Sequence, residues 1–179
     1  MPKWSKEEIE DAFINYRKAV RESVATGDWT IWGNLFTEDG SYFEHHFGKF
    51  WGRDAITKFM RGVWTRFPAM HMTGYPTSWM VIDEERGWVI VEFLNRMEDI
   101  GDGEIYQETC ISVLHYAGNG QFKYQEDAYN PARMGAMVNR WLEARERIKA
   151  KEVEGKDRVL DRHAESFSQM LVMPEAGTN

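Results

Sequence analysis

The chain has 179 residues, 42% hydrophobic and 14% aromatic, with eight Trp and a formal net charge of −7. That length and composition suit one domain with a real core and exclude disorder throughout. The acidic balance argues against a nucleic-acid partner, which needs a basic face to displace counterions.

The single Cys, Cys110, excludes an intramolecular disulfide framework and fits a reducing compartment. The first residues, MPKWSKEEIEDAF, carry charge where a signal peptide needs an apolar run. No segment approaches the ~20 apolar residues of a membrane span. A cytoplasmic protein without a membrane segment is expected.

Ser5-Lys6-Glu7-Glu8 reads as a capping box. Ile9, Ala12, Phe13, Tyr16, Val20 and Val24 then follow helical spacing, and Gly27 stops the helix. Asp28 caps a shorter helix carrying Trp29, Trp32, Leu35 and Phe36, and Asp39-Gly40 reads as a turn. Ser41 to His46 is an expected strand, Gly48 its turn, and Lys49 to Trp51 a short return strand. A third helix is expected from Arg53 to Pro68, with Ile56, Phe59, Met60, Val63 and Phe67 on one face.

After Pro68 the hydrophobic period changes from helical to alternating. Four strands are expected: Met70 to Ile82, Trp88 to Glu98, Glu104 to Tyr116 and Gln121 to Tyr129. Gly118-Asn119-Gly120 is a hairpin signal between the last two. Pro131 opens a C-terminal helix with Met134, Met137, Val138, Trp141 and Leu142. Charge dominates from Glu143 to Asp161; Val159, Phe167, Met170 and Leu171 suggest one more loosely packed segment before a tail. The expectation is an α+β domain over residues 1–152 and a partly helical extension over 153–179, serving an interface or mobile.

The run GDWTIWGNLFTEDGSYFEHHFGKFWGRDAI resembles the nuclear transport factor 2-like superfamily, which includes SnoaL-like and ketosteroid isomerase-like proteins. It shows that family's loose pattern: Gly-Asp, a short helix ending in Leu-Phe, an acidic turn, a strand, then Gly-Arg-x-Ala-Ile into a helix. The resemblance implies a cone-shaped curved antiparallel sheet closed by helices, and homodimers formed through its outer face. Counted from Leu35-Phe36, the general-base carboxylate of ketosteroid isomerases falls on Glu44. The catalytic His of dehydratase-like members falls in the region of His71. Other family positions differ. Ala25 stands where dehydratases carry Asp, Val20 where the isomerase oxyanion Tyr lies, and Ser112 near its partner acid.

Strand alternation puts Tyr42, Glu44 and His46 on one face and Phe43, His45 and Phe47 on the other. Glu44 has two readings: a cavity-facing carboxylate made basic by desolvation, or an exposed strand residue paired with Arg53 or Lys49. His46 and His71 are candidate acid–base groups, and Tyr42 a candidate proton donor or phenol anchor. Trp51, Tyr75, Tyr106, Asp127 and Tyr129 are candidate substrate contacts. Glu44, His46 and His71 are types that bind metal, but no H-x-x-x-H or H-x-H spacing occurs and adjacent His on a strand diverge. No metal and no cofactor is expected. The expected activity is cofactor-free acid–base elimination from a bulky aromatic small molecule. The diarylpropane formaldehyde lyases of lignin-catabolising bacteria are similar in this respect. An isomerase or cyclase, or a non-catalytic binding subunit, are the alternatives.

Overall fold

The computed structural model describes the backbone of residues 2–170 and the side chains of residues 2–153. Helix α1 spans Lys6–Thr26. The Ser5 hydroxyl accepts the Glu8 N–H at 3.1 Å, which caps its N-terminus. Gly27, at φ 76°, turns the chain out and donates its N–H to the Ser23 carbonyl. One face buries Ile9, Phe13, Tyr16 and Val20. Asp28 accepts the Thr30 N–H at 2.9 Å ahead of the single turn α2, Thr30–Gly33.

Strand β1 spans Phe36–Glu44, so the expected Asp39-Gly40 turn is instead part of a strand. The acidic-glycine signal survives as an irregularity: register with the neighbouring strand shifts between Phe36 and Ser41. β1 also ends two residues early, at Glu44, and His45 to Phe47 form the turn into β2, Gly48–Trp51. Helix α3 spans Arg53–Trp64 and stops short of Pro68. The Thr65 hydroxyl donates to the Arg61 carbonyl and closes the last turn, and the residue before a proline is disfavoured in helix.

The strand expected from Met70 is a 3-10 turn, Ala69–His71, followed by a crossing segment. Pro76 lacks an N–H and Gly74 sits at φ 92°, so the ladder begins only with β3, Thr77–Asp83. Strands β4 (Trp88–Arg96), β5 (Gln107–Gly118) and β6 (Gln121–Ala128) continue the meander. The six strands run in the order β2-β1-β6-β5-β4-β3, all neighbours antiparallel except β1 and β6. That parallel pair joins the N-terminal hairpin to the meander as one curved sheet.

Helix α4 spans Pro131–Met170, with the Asn130 side chain accepting the Ala132 and Arg133 N–H groups at its start. It runs unbroken past residue 153. The packing expected of Val159, Phe167, Met170 and Leu171 lies outside the described side chains. The core forms between α1, α2, α3 and the concave sheet face, where Trp32, Phe36 and Phe122 are fully buried. Trp141 of α4 is equally buried, its indole donating to the Glu98 carbonyl at 3.0 Å.

Candidate active site

The sheet curves around a cavity of about 970 Å³, walled by α1, α3 and the first turns of α4. The rings of Trp29, Tyr42, Phe50, Phe59, Tyr75 and Phe93 line it. Its wall carries two carboxylates. Glu44 ends β1, Asp127 lies on β6, and the two are register partners across the parallel pair. Cross-strand partners point to the same face, so both enter the cavity.

Glu44 is 4% exposed. Its Oε2 accepts the backbone N–H groups of His46 at 2.7 Å and Phe47 at 2.5 Å. The turn after β1 thus fixes the carboxylate from behind. Tyr129 stands beside it, its phenol pushed far up first by burial, then by hydrogen bonding to the Glu44 carboxylate and by that group's charge.

Asp127 is held by three donors. Tyr42 Oη donates to Oδ2 at 2.5 Å, while Ser112 Oγ and Gln125 Nε2 donate to Oδ1 at 2.6 and 3.0 Å. Tyr16 Oη donates to Gln125 Oε1 at 2.9 Å, which extends the network to α1. Burial raises the Asp127 pKa and the Glu44 charge adds to the rise; the three donors oppose it. Burial dominates, so the net direction is up. Tyr42 and Tyr16, both pushed up by burial and then by Asp127, remain protonated donors. A carboxyl driven toward its neutral form thus sits beside a second, differently held carboxylate, an arrangement suited to acid–base work.

The sequence-derived candidates divide. Tyr42, Glu44, Tyr75, Asp127 and Tyr129 line the cavity. His46 lies at its mouth, with an exposed ring packed on Phe47, because the strand that would have turned it inward has already ended. Phe47 also lines the mouth rather than the opposite face, and touches Phe59. His45 Nε2 pairs with Glu126 at 2.7 Å, outside the cavity.

His71 is outside the lining as well. It sits on the 3-10 turn, where Nδ1 meets Glu98 Oε1 at 2.8 Å and the ring lies 5.2 Å from Trp141. Trp51 is 70% exposed, because alternation along β2 gives the inner position to Phe50. Tyr106 precedes β5 and donates to Asp102 Oδ2 at 2.6 Å in the loop, clear of the cavity.

Three residues that sequence reasoning left out of the site take part in the network: Tyr16, Ser112 and Gln125. The signal for Gln125 was its two-residue spacing from Asp127 on one strand. Ser112 pairs with Asp127 across β5 and β6. Cys110 also borders the cavity, its thiol pushed far up by burial and Asp127. No group of three or more His, Cys, Asp or Glu close enough to hold a metal ion occurs among the described residues. None of the described helices is long and apolar enough to cross a membrane.

The family model described as SnoaL-like domain matches residues 17–125. No curated protein matches the sequence. Among solved structures, the chain is similar to an LEH-like epoxide hydrolase from M. tuberculosis, at 15% identity and TM-score 0.58, covering 77% of this chain and 94% of that one. An NTF2-like protein from Anabaena variabilis aligns at 17% identity and TM-score 0.53, covering 73% and 95%. A protein of ketosteroid isomerase-like fold from Catenulispora acidiphila, in complex with trimethylamine, aligns at 16% and 0.53, covering 69% and 92%. At these identities the likeness is one of fold, the α+β cone with helices closing its back. A match over residues 17–125, more than half of the sequence, places this chain in the SnoaL-like domain family.

Proposed function

We propose that the protein is a cofactor-free acid–base enzyme acting on a bulky aromatic small molecule, and that its reaction is an elimination. The observation that carries this reading is the Glu44–Asp127 register pair in the wall of a ring-lined cavity. Glu44 is the base, its Oε2 held by the turn amides. Asp127, raised by burial, is the acid. Tyr42 positions Asp127, and Tyr75 and Tyr129 contact the substrate rings. His71, Trp51 and Tyr106 take no part.

For a diarylpropane with a benzylic hydroxyl and a terminal hydroxymethyl group, Asp127 protonates the benzylic hydroxyl. The C–O bond breaks, water leaves, and the para-phenol releases its proton to solvent to give a quinone methide. Glu44 then takes the proton of the terminal hydroxyl. The C–C bond breaks, its electron pair forms the new C=C bond and restores the ring as a phenolate, which takes a proton from solvent, and formaldehyde leaves; the Glu44 proton returns to Asp127 through solvent. The products are one stilbene, one water and one formaldehyde per substrate. Ring and apolar surface outside the cavity supports a homodimer: Trp79 and Val81 are exposed on β3, and Trp88, His115 and Tyr124 stack across the outer face.

The test is product analysis of a panel of two-ring phenols. Formaldehyde release with loss of the corresponding mass supports the reading. A product of unchanged mass supports the second reading, an isomerase or cyclase, which the likeness to a ketosteroid isomerase-like fold favours.

A further inference from the structure

The inner face of β4 presents Val89, Val91, Phe93 and Asn95 in strict alternation, and Met97 continues the row just past the strand's end, all buried. Four of the five are apolar. Asn95 is 8% exposed and lines the cavity, and its carboxamide makes no hydrogen bond among the described residues. Nor is it among the polar atoms sealed away without a partner, so the amide opens onto the cavity. A polar group in such a row is costly unless something pairs with it. The fold has no use for this amide, and the carboxylate network does not reach it.

Its position relative to the carboxylates is informative. On the intervening β5, Asn95 pairs with Glu108 and Asp127 with Ser112. Four residues along β5 and two strand spacings across separate the backbones of Asn95 and Asp127 by roughly 17 Å along the sheet. Two aromatic rings joined by a short linker match that span. Rings line the cavity between the two ends, including Tyr75 and Phe93.

We propose that Asn95 recognises the far end of the substrate, binding an uncharged hydroxyl or carbonyl on the ring opposite the one at the carboxylates. The proposal rests on the acid–base reading of the cavity. A carboxamide offers both a donor and an acceptor, which suits a phenol. It offers no charge. Its neighbour Arg96 alternates to the other face and donates to Gln107. The preferred substrate is therefore two-ringed and hydroxylated at both ends.

The test is calorimetric binding of two probes: a bibenzyl with a para-hydroxyl on both rings, and its analogue with one hydroxyl. The wild-type protein is expected to prefer the first by tenfold or more. In Asn95→Leu the preference falls below twofold, while the thermal midpoint is unchanged or higher because an unpaired amide has left an apolar row. Asn95→Ala gives the same loss of preference. Equal affinities in the wild type, or a preference that survives both substitutions, overturns the proposal and leaves the acid–base reading standing. Failure of both probes to bind overturns the two together.

Discussion

Replacing Tyr42 with Phe removes one hydroxyl and keeps the ring, which packs against Trp32 at 6.4 Å and Phe59 at 5.7 Å. The lost contact is the 2.5 Å donation to Asp127 Oδ2. Hydrogen bonds to charged groups contribute about 1.5–3 kcal/mol, and one pKa unit corresponds to about 1.4 kcal/mol. The ionised form of Asp127 loses that support while burial and the Glu44 charge persist, so its pKa climbs further. Carboxyl carbon NMR of aspartate-labelled protein, titrated in wild type and Tyr42→Phe, reads the shift directly. An unchanged or lowered Asp127 value would refute the claim that Tyr42 sustains the charge on Asp127.

Two further outcomes concern stability. The Asp127 pKa is raised in the folded protein, so the folded state binds more protons than the unfolded one above the ordinary aspartate range. The associated stability is complete below that range and is lost as pH rises through the folded value. Asp127→Asn removes this loss, so denaturant-derived stability, variant minus wild type, should grow with pH; a pH-independent difference contradicts the assignment. Gly33→Ala places a Cβ at 2.0 Å from Thr57 Oγ1 and 3.1 Å from Thr57 Cβ. Thr57 is buried and its hydroxyl donates to the Arg53 carbonyl, so it cannot swing clear. A loss of about 1–3 kcal/mol is expected in chemical unfolding, and a neutral result would show that α2 and α3 can separate freely.

Local chemistry made much of the fold legible. The Ser5 cap, the Gly27 stop and the change of period after Pro68 each rest on residues within one turn of one another, and α1 and β4 follow them closely. The failures have equally local causes. Gly74 and Pro76 cut the expected strand short, which moved His71 off the sheet and away from the cavity. The turn at His45 to Phe47 began before Gly48, so alternation no longer governed His46.

The site itself depends on pairings that no periodicity encodes. Glu44 and Asp127 are 83 positions apart, and only the parallel β1–β6 register makes them neighbours. Side-chain type alone did not separate Trp51 and Tyr106, which face outward or into the loop, from Tyr75 and Tyr129, which face the cavity. Asn95 was visible as a polar residue in WVIVEFLNRM. The burial pattern of β4 was needed to put it on the inner face.

The account stands or falls on proton transfer by the carboxylate pair. Its most direct test is the pH dependence of kcat/KM, on a two-ring phenol that the wild type converts, for wild type, Glu44→Gln and Asp127→Asn. The wild type should lose activity as pH rises through the folded Asp127 value. Glu44→Gln should lower kcat/KM by about a hundredfold or more, and Asp127→Asn should erase that alkaline limb. Turnover by Glu44→Gln at the wild-type rate, with the alkaline limb surviving in Asp127→Asn, would contradict it.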